Sequence, residues 1–127
     1  MSETTINVRY MVDDVQTAIE WYAKHLDFSL LSNQAPAFAD AQRGSLRLLL
    51  SGPTSSAGRP MPDGEQPRPG GWNRIHLVVD DLPAEVARLR AAGAQFRNDI
   101  VTGPGGSQIL LVDPSGNLVE LFQPARH

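Results

Sequence analysis

The tetrapeptide Val12-Asp13-Asp14-Val15 returns sixty-seven positions later as Val79-Asp80-Asp81-Leu82. The surroundings return with it. Upstream of the first copy, Ile6, Val8, Tyr10 and Val12 alternate with Asn7, Arg9 and Met11, the period-two pattern of a half-buried strand. Downstream, Asp14 is placed to cap a helix, and Val15, Ile19, Tyr22 and Leu26 recur on one helical stripe. Around the second copy Ile75, Leu77 and Val79 alternate with Arg74, His76 and Val78. A helix with Leu82, Val86 and Leu89 on one side then runs to Gly93, a natural terminator. The match therefore joins equivalent positions of an internal repeat.

Each helix is followed by three strand-like stretches. In the first half they are Phe28 to Leu31, Ala37 to Gln42 and Leu46 to Leu50; in the second, Gln95 to Val101, Gln108 to Val112 and Leu118 to Phe122. Arg43-Gly44-Ser45 and Asp113-Pro114-Ser115-Gly116-Asn117 supply the turns before the last strand of each half. Both halves read βαβββ, so the expected fold class is α+β. The boundaries are one domain over 1–127, with modules at 4–51 and 72–124. Between them, 52–71 carries five prolines and five glycines and excludes long regular structure. It is either a plain linker or a lid offering Met61 and Arg68 to a ligand.

A chain of 127 residues with 41% hydrophobic content can bury one real core. A net charge of −3, with 11 basic and 14 acidic residues dispersed, gives no stripe for phosphates, so no nucleic acid is expected as a partner. No apolar run is long enough to span a bilayer, and Met1-Ser2-Glu3-Thr4-Thr5 is unlike a signal peptide. The expectation is a soluble, cytoplasmic protein with no membrane partner. The absence of cysteine rules out disulfides, thiolate catalysis and cysteine-type metal sites.

The repeated βαβββ, the V-x-D before each helix and above all Asp113-Pro114-Ser115-Gly116-Asn117-Leu118-Val119-Glu120-Leu121 resemble the vicinal oxygen chelate superfamily. That superfamily comprises glyoxalases, bleomycin-resistance proteins and extradiol dioxygenases. The resemblance covers nearly the whole chain. It implies two modules whose mixed sheets curl around a shared cleft, and a homodimer. Metalloenzymes of the superfamily place ligands at positions that land here on Asn7, Leu48, Arg74 and Glu120. Of these only Glu120 suits a transition metal, because leucine donates nothing, arginine keeps its charge and an amide carbonyl is a weak ligand. No metal and no cofactor are therefore expected.

If one face of each first strand packs on its helix, the other lines the cleft. The expected ligand-binding set is Asn7, Arg9, Phe38, Leu48, Leu50, Met61, Trp72, Arg74, His76, Glu120 and Phe122, with Leu46, Met11, Val78 and Leu118 on the same walls. Glu120 is expected to face Arg74 or Arg9, because a buried charge is costly unless paired. That pair either neutralises itself or presents hydrogen bonds to a ligand. His76 either lines the cleft or joins Glu120 in a shifted metal site, whereas His25 and His127 are expected to be solvated. Trp72 either stacks on a planar ligand or anchors its loop, and Trp21 belongs to helix packing or a dimer contact.

Three readings follow. The first is a metal-independent binding protein sequestering an aromatic or amphipathic natural product, as antibiotic-resistance members of the superfamily do. The second is an enzyme of the glyoxalase, lyase or dioxygenase type, using Glu120 as a general base or with His76 as a displaced metal site. A cleft that has lost its ligand and serves only dimer contacts is a third.

Overall fold

A computed structural model describes residues 5–126. The chain divides into two compact units, the first ending at Gly70 and the second beginning at Gly71. The Pro/Gly segment thus belongs to the first unit.

The first unit opens with β1 (Asn7–Met11) and α1 (Val15–Leu26), followed by β2 (Ser29–Gln34), β3 (Phe38–Arg43) and β4 (Leu46–Ser51). The sheet order is β1-β4-β3-β2, with β1 parallel to β4 and the other pairs antiparallel. Asp14 caps α1, its Oδ1 accepting the Thr17 N–H at 3.0 Å. The apolar stripe Val15, Ile19, Tyr22 and Leu26 is buried, as its spacing requires, together with Ala18. It packs on the face of the sheet carrying Tyr10, Ala39, Ala41, Leu48 and Leu50, all buried. The helix ends on Asp27, which takes the left-handed conformation at φ +55° where α2 uses a glycine.

Several expectations change here. Ile6 lies ahead of the ladder and is 77% exposed rather than packed on the helix. His25 is buried against the Trp21 ring, 5.4 Å between centroids, not solvated; it falls one turn after Trp21 on the flank of the apolar stripe. His127 lies outside the described residues.

The second unit repeats the plan with β5 (Ile75–Val78), α2 (Leu82–Ala91), β6 (Gln95–Phe96), β7 (Val101–Gly103), β8 (Gly106–Val112) and β9 (Leu118–Pro124). β5 runs parallel to β9 and the order is β5-β9-β8-β6, with β7 also paired to β8. The stretch expected as one strand, 95–101, is thus two short ones. Between them the Asn98 side chain accepts the Leu110 N–H at 2.9 Å, taking the place of a main-chain carbonyl. Asp81 caps α2 by accepting the Ala84 N–H, and Gly93 closes it at φ +88° with Ala94 N–H on Leu89 O. Leu82, Val86 and Leu89 face the buried Ile75, Leu77, Ile109, Leu111, Val119 and Leu121.

The turn into β9 is built by one carboxylate. Asp113, 4% exposed, accepts the N–H groups of Ser115 at 2.8 Å and Asn117 at 2.9 Å on Oδ1, and the Asn117 amide on Oδ2 at 3.1 Å. Gly116 supplies φ +88°. Among the described residues no helix is long and apolar enough to cross a membrane.

Asp113→Ala leaves buried donors without an acceptor and is expected to cost about 2–3 kcal/mol. Asp27→Gly relieves left-handed strain and is expected to gain about 0.5 kcal/mol. Urea unfolding midpoints of the two variants check both signs.

Candidate functional site

In the second unit the parallel register sets His76 opposite Glu120 and Val78 opposite Phe122 on the sheet face away from α2. Glu120 is 7% exposed and is held from two sides. Arg74, just ahead of β5, donates to its Oε1 from Nε at 3.0 Å and from a terminal nitrogen at 2.9 Å. His76 Nε2 stands 3.4 Å from Oε2. A further Arg74 nitrogen holds the Trp72 carbonyl at 3.2 Å, and the His76 ring lies 4.8 Å from that of Phe122. Trp72, 62% exposed, carries the Arg97 guanidinium 4.5 Å above its ring. The structure therefore gathers Trp72, Arg74, His76, Glu120 and Phe122 into one cluster and adds Arg97, which sequence reasoning missed. No spacing flags Arg97, because it lies in the break between β6 and β7 and reaches Trp72 only through the fold.

In the first unit the corresponding face carries Asn7, Arg9 and Met11 opposite Arg47, Leu49 and Ser51. Leu48 and Leu50 pair instead with Val8 and Tyr10, are 0% exposed and belong to the core beneath α1. Their expected place on the cleft wall, and that of Leu46 in the same alternation, is corrected. Leu48 and Glu120 stand equally far from their turn glycines, yet the ladders differ by one residue. His76 is the repeat partner of Arg9, and Arg9 lies opposite Leu49. A one-residue slip turns every side chain to the other face.

Phe38 lies opposite Ser51 on this open face. Arg9 reaches Ser51 Oγ at 3.0 Å. Farther across, Asp40, 3% exposed, accepts from the Ser32 hydroxyl and from Arg47, whose Nε and terminal nitrogen lie 2.7 and 2.6 Å from Oδ2. The Ser32 hydrogen bond, then Arg47, hold the Asp40 carboxyl below the usual 3.8 against the opposing effect of burial.

The Pro/Gly segment packs on its own unit. Gln66 to Pro69, Arg68 among them, line a half-open cavity of ≈190 Å³ together with Met11 and Pro53. A second cavity, ≈390 Å³, lies at the start of α1 beside Pro36 and Thr54. Met61 lines neither; it sits on a tight turn, its N–H bonded to Glu65 O at 2.7 Å.

A family model for the Glyoxalase/Bleomycin resistance protein/Dioxygenase superfamily matches residues 6–121. The chain belongs to this superfamily. Solved structures show the same fold. A superfamily member from Sphaerobacter thermophilus DSM 20745 is 24% identical, with 97% of this chain and 98% of that one covered and a TM-score of 0.76. Lactoylglutathione lyase from Agrobacterium tumefaciens is 20% identical over 96% and 94%, TM-score 0.72. TnmS3, an antibiotic binding protein from Streptomyces sp. CB03234, is 23% identical over 98% and 100%, TM-score 0.69. No match was found among curated proteins.

The superfamily's metal does not fit the residues this member offers. At the four ligand positions, corrected for register, stand Asn7, Leu49, Arg74 and Glu120. The one carboxylate among them is already bonded by a guanidinium, which cannot give up its charge. Among the described residues no three His, Asp or Glu side chains stand close enough to hold an ion together.

Because the Asp40 carboxyl is depressed in the folded state, its ion pair contributes stability above pH 3.8 and loses it as pH falls through the lower folded value. Asp40→Asn is expected to destabilise the protein more at pH 6 than at pH 3. An equal penalty at both, in urea titrations, would place the acid-sensitive group elsewhere.

Proposed function

We propose that the protein binds and sequesters an aromatic or amphipathic natural product without a metal, as a homodimer in the cytoplasm. One observation carries this reading: Arg74 occupies the Glu120 carboxylate, so the position that would anchor a metal presents an ion pair instead. Around that pair lie the Trp72, His76 and Phe122 rings, the last two 4.8 Å apart and Trp72 under the Arg97 guanidinium, so that aromatic area stands beside a few oriented polar groups. Such a surface suits a planar ligand with hydrogen-bonding edges. The fold shared with TnmS3, described as an antibiotic binding protein, supports the reading and does not by itself carry it.

The runner-up is an enzyme of the lyase or dioxygenase kind. It is favoured by the His76 ring standing 3.4 Å from the free oxygen of Glu120, and by the fold shared with lactoylglutathione lyase.

Thermal unfolding of the chelator-treated protein separates the two, using a panel of planar natural products that includes bleomycin-type and anthraquinone compounds, and divalent metals alone. A compound at about 100 times its Kd adds roughly 2.7 kcal/mol, a rise of about 10 °C for a chain of this size. Glu120→Gln is expected to lower its affinity about tenfold. Stabilisation by Mn²⁺, Fe²⁺, Ni²⁺ or Zn²⁺ alone, lost in His76→Ala, would establish the enzyme reading instead.

A further inference from the structure

We infer that Arg97 sets the charge of the ligands that the proposed binding surface accepts: seated on the Trp72 ring, it admits neutral or acidic planar molecules and turns away cationic ones. This selection rests on the sequestration reading and adds to it the charge class of the ligand.

Trp72 is held by two cations. Its carbonyl accepts from Arg74 at 3.2 Å, and its ring carries the Arg97 guanidinium 4.5 Å from the centroid. The two differ in what balances them. Arg74 is matched by Glu120, 2.9 Å away. Among the described residues no carboxylate stands within ion-pair reach of Arg97. Asp99, two positions along, lies against Arg90 instead, at 3.5 Å. A local positive charge thus sits over the indole of a chain whose net charge is −3.

The main chain fixes the base from which Arg97 reaches out. Its N–H donates to Leu110 O at 2.9 Å, and the neighbouring Asn98 side chain accepts the Leu110 N–H at 2.9 Å. The break between β6 and β7 is therefore pinned to both main-chain groups of one residue, and the side chain projects from there onto Trp72.

An aromatic ring attracts a cation through the negative face of its quadrupole. With Arg97 already on the indole, a second cation gains little from that ring and meets the repulsion of the first. A neutral or acidic planar molecule suffers neither loss, and a guanidinium plane itself stacks on aromatic groups. Trp72 remains 62% exposed beside its cation, so ring area is left for such a molecule. The ligand class is a planar aromatic that is uncharged or carries a carboxylate or phenolate; amine-bearing aromatics are excluded.

The test follows the Trp72 indole N–H by NMR on the full chain, with Trp72→Phe distinguishing its signal from that of Trp21. Three naphthalenes of one shape are titrated: naphthamide, naphthoate and naphthylmethylammonium. The amide and the acid are expected to shift the signal with a Kd of about 1 mM, as suits ligands of so few atoms. The cation is expected to bind about tenfold more weakly, against the attraction of the chain's net negative charge. Arg97→Gln is expected to cut that discrimination to about twofold, chiefly by tightening the cation, whereas Arg97→Lys, which keeps the charge, retains it. A merely structural role for Arg97 would alter all three ligands alike. No shift of the Trp72 signal, equal binding of cation and amide by the unaltered protein, discrimination that survives in Arg97→Gln, or its loss in Arg97→Lys would overturn the inference. Failure here is separable from failure of the sequestration reading. If amine-bearing natural products stabilise the fold as well as uncharged ones do, the charge selection falls and sequestration stands. If the naphthalenes show selection that depends on Arg97 while no natural product stabilises the fold, the selection stands and sequestration falls.

Discussion

The parallel ladder between the first and last strand of each unit decides which side chains are available for chemistry. Strand residues alternate between faces, so register alone determines whether a leucine fills the core or a carboxylate meets the arginine beside it. In the second unit Ile75 pairs with Val119 and His76 with Glu120, which puts the apolar set under α2 and the polar set together on the other face. In the first unit the ladder is offset by one residue, with Val8 rather than Arg9 opposite Leu48. The helix then covers Leu48 and Leu50, and the polar face is left with Arg9, Asp40, Arg47 and Ser51. The two halves share a plan and differ in function-bearing surface because of that single step.

The most recognisable stretch of the sequence is mainly architectural. Asp113 and Asn117 bond one another across the turn that Gly116 closes, and Asp113 also accepts the Ser115 N–H. What the turn delivers is the phase of β9, so that Glu120 emerges beside β5 while Val119 and Leu121 enter the core. The chemistry of a given member depends on the residues that meet Glu120, here Arg74 and His76.

Electrostatics separates the two units. In the second, one carboxylate serves two basic groups, and the pair is satisfied without a ligand. In the first, Asp40 is consumed by Ser32 and Arg47, and Arg9 donates instead to the Ser51 hydroxyl.

Much of the fold was legible in the linear sequence. The period-two strands, the 3.6-residue stripe of α1, the two aspartate caps and the Asp113 turn are local patterns whose physics involves neighbours a few residues apart, and the structure contains each of them. The face of Arg74, His76, Glu120 and Phe122 was legible too, since β5 and β9 have clear alternation. What the sequence could not decide is the phase of Leu48-Leu49-Leu50, where three consecutive leucines carry no alternation and only pairing with β1 tells which one points into the core. Nor could it reveal the burial of His25, the reach of Arg97 to Trp72 or the packing of Pro67 to Pro69 over Met11. These contacts join residues distant along the chain, and their geometry exists only once the sheets have formed.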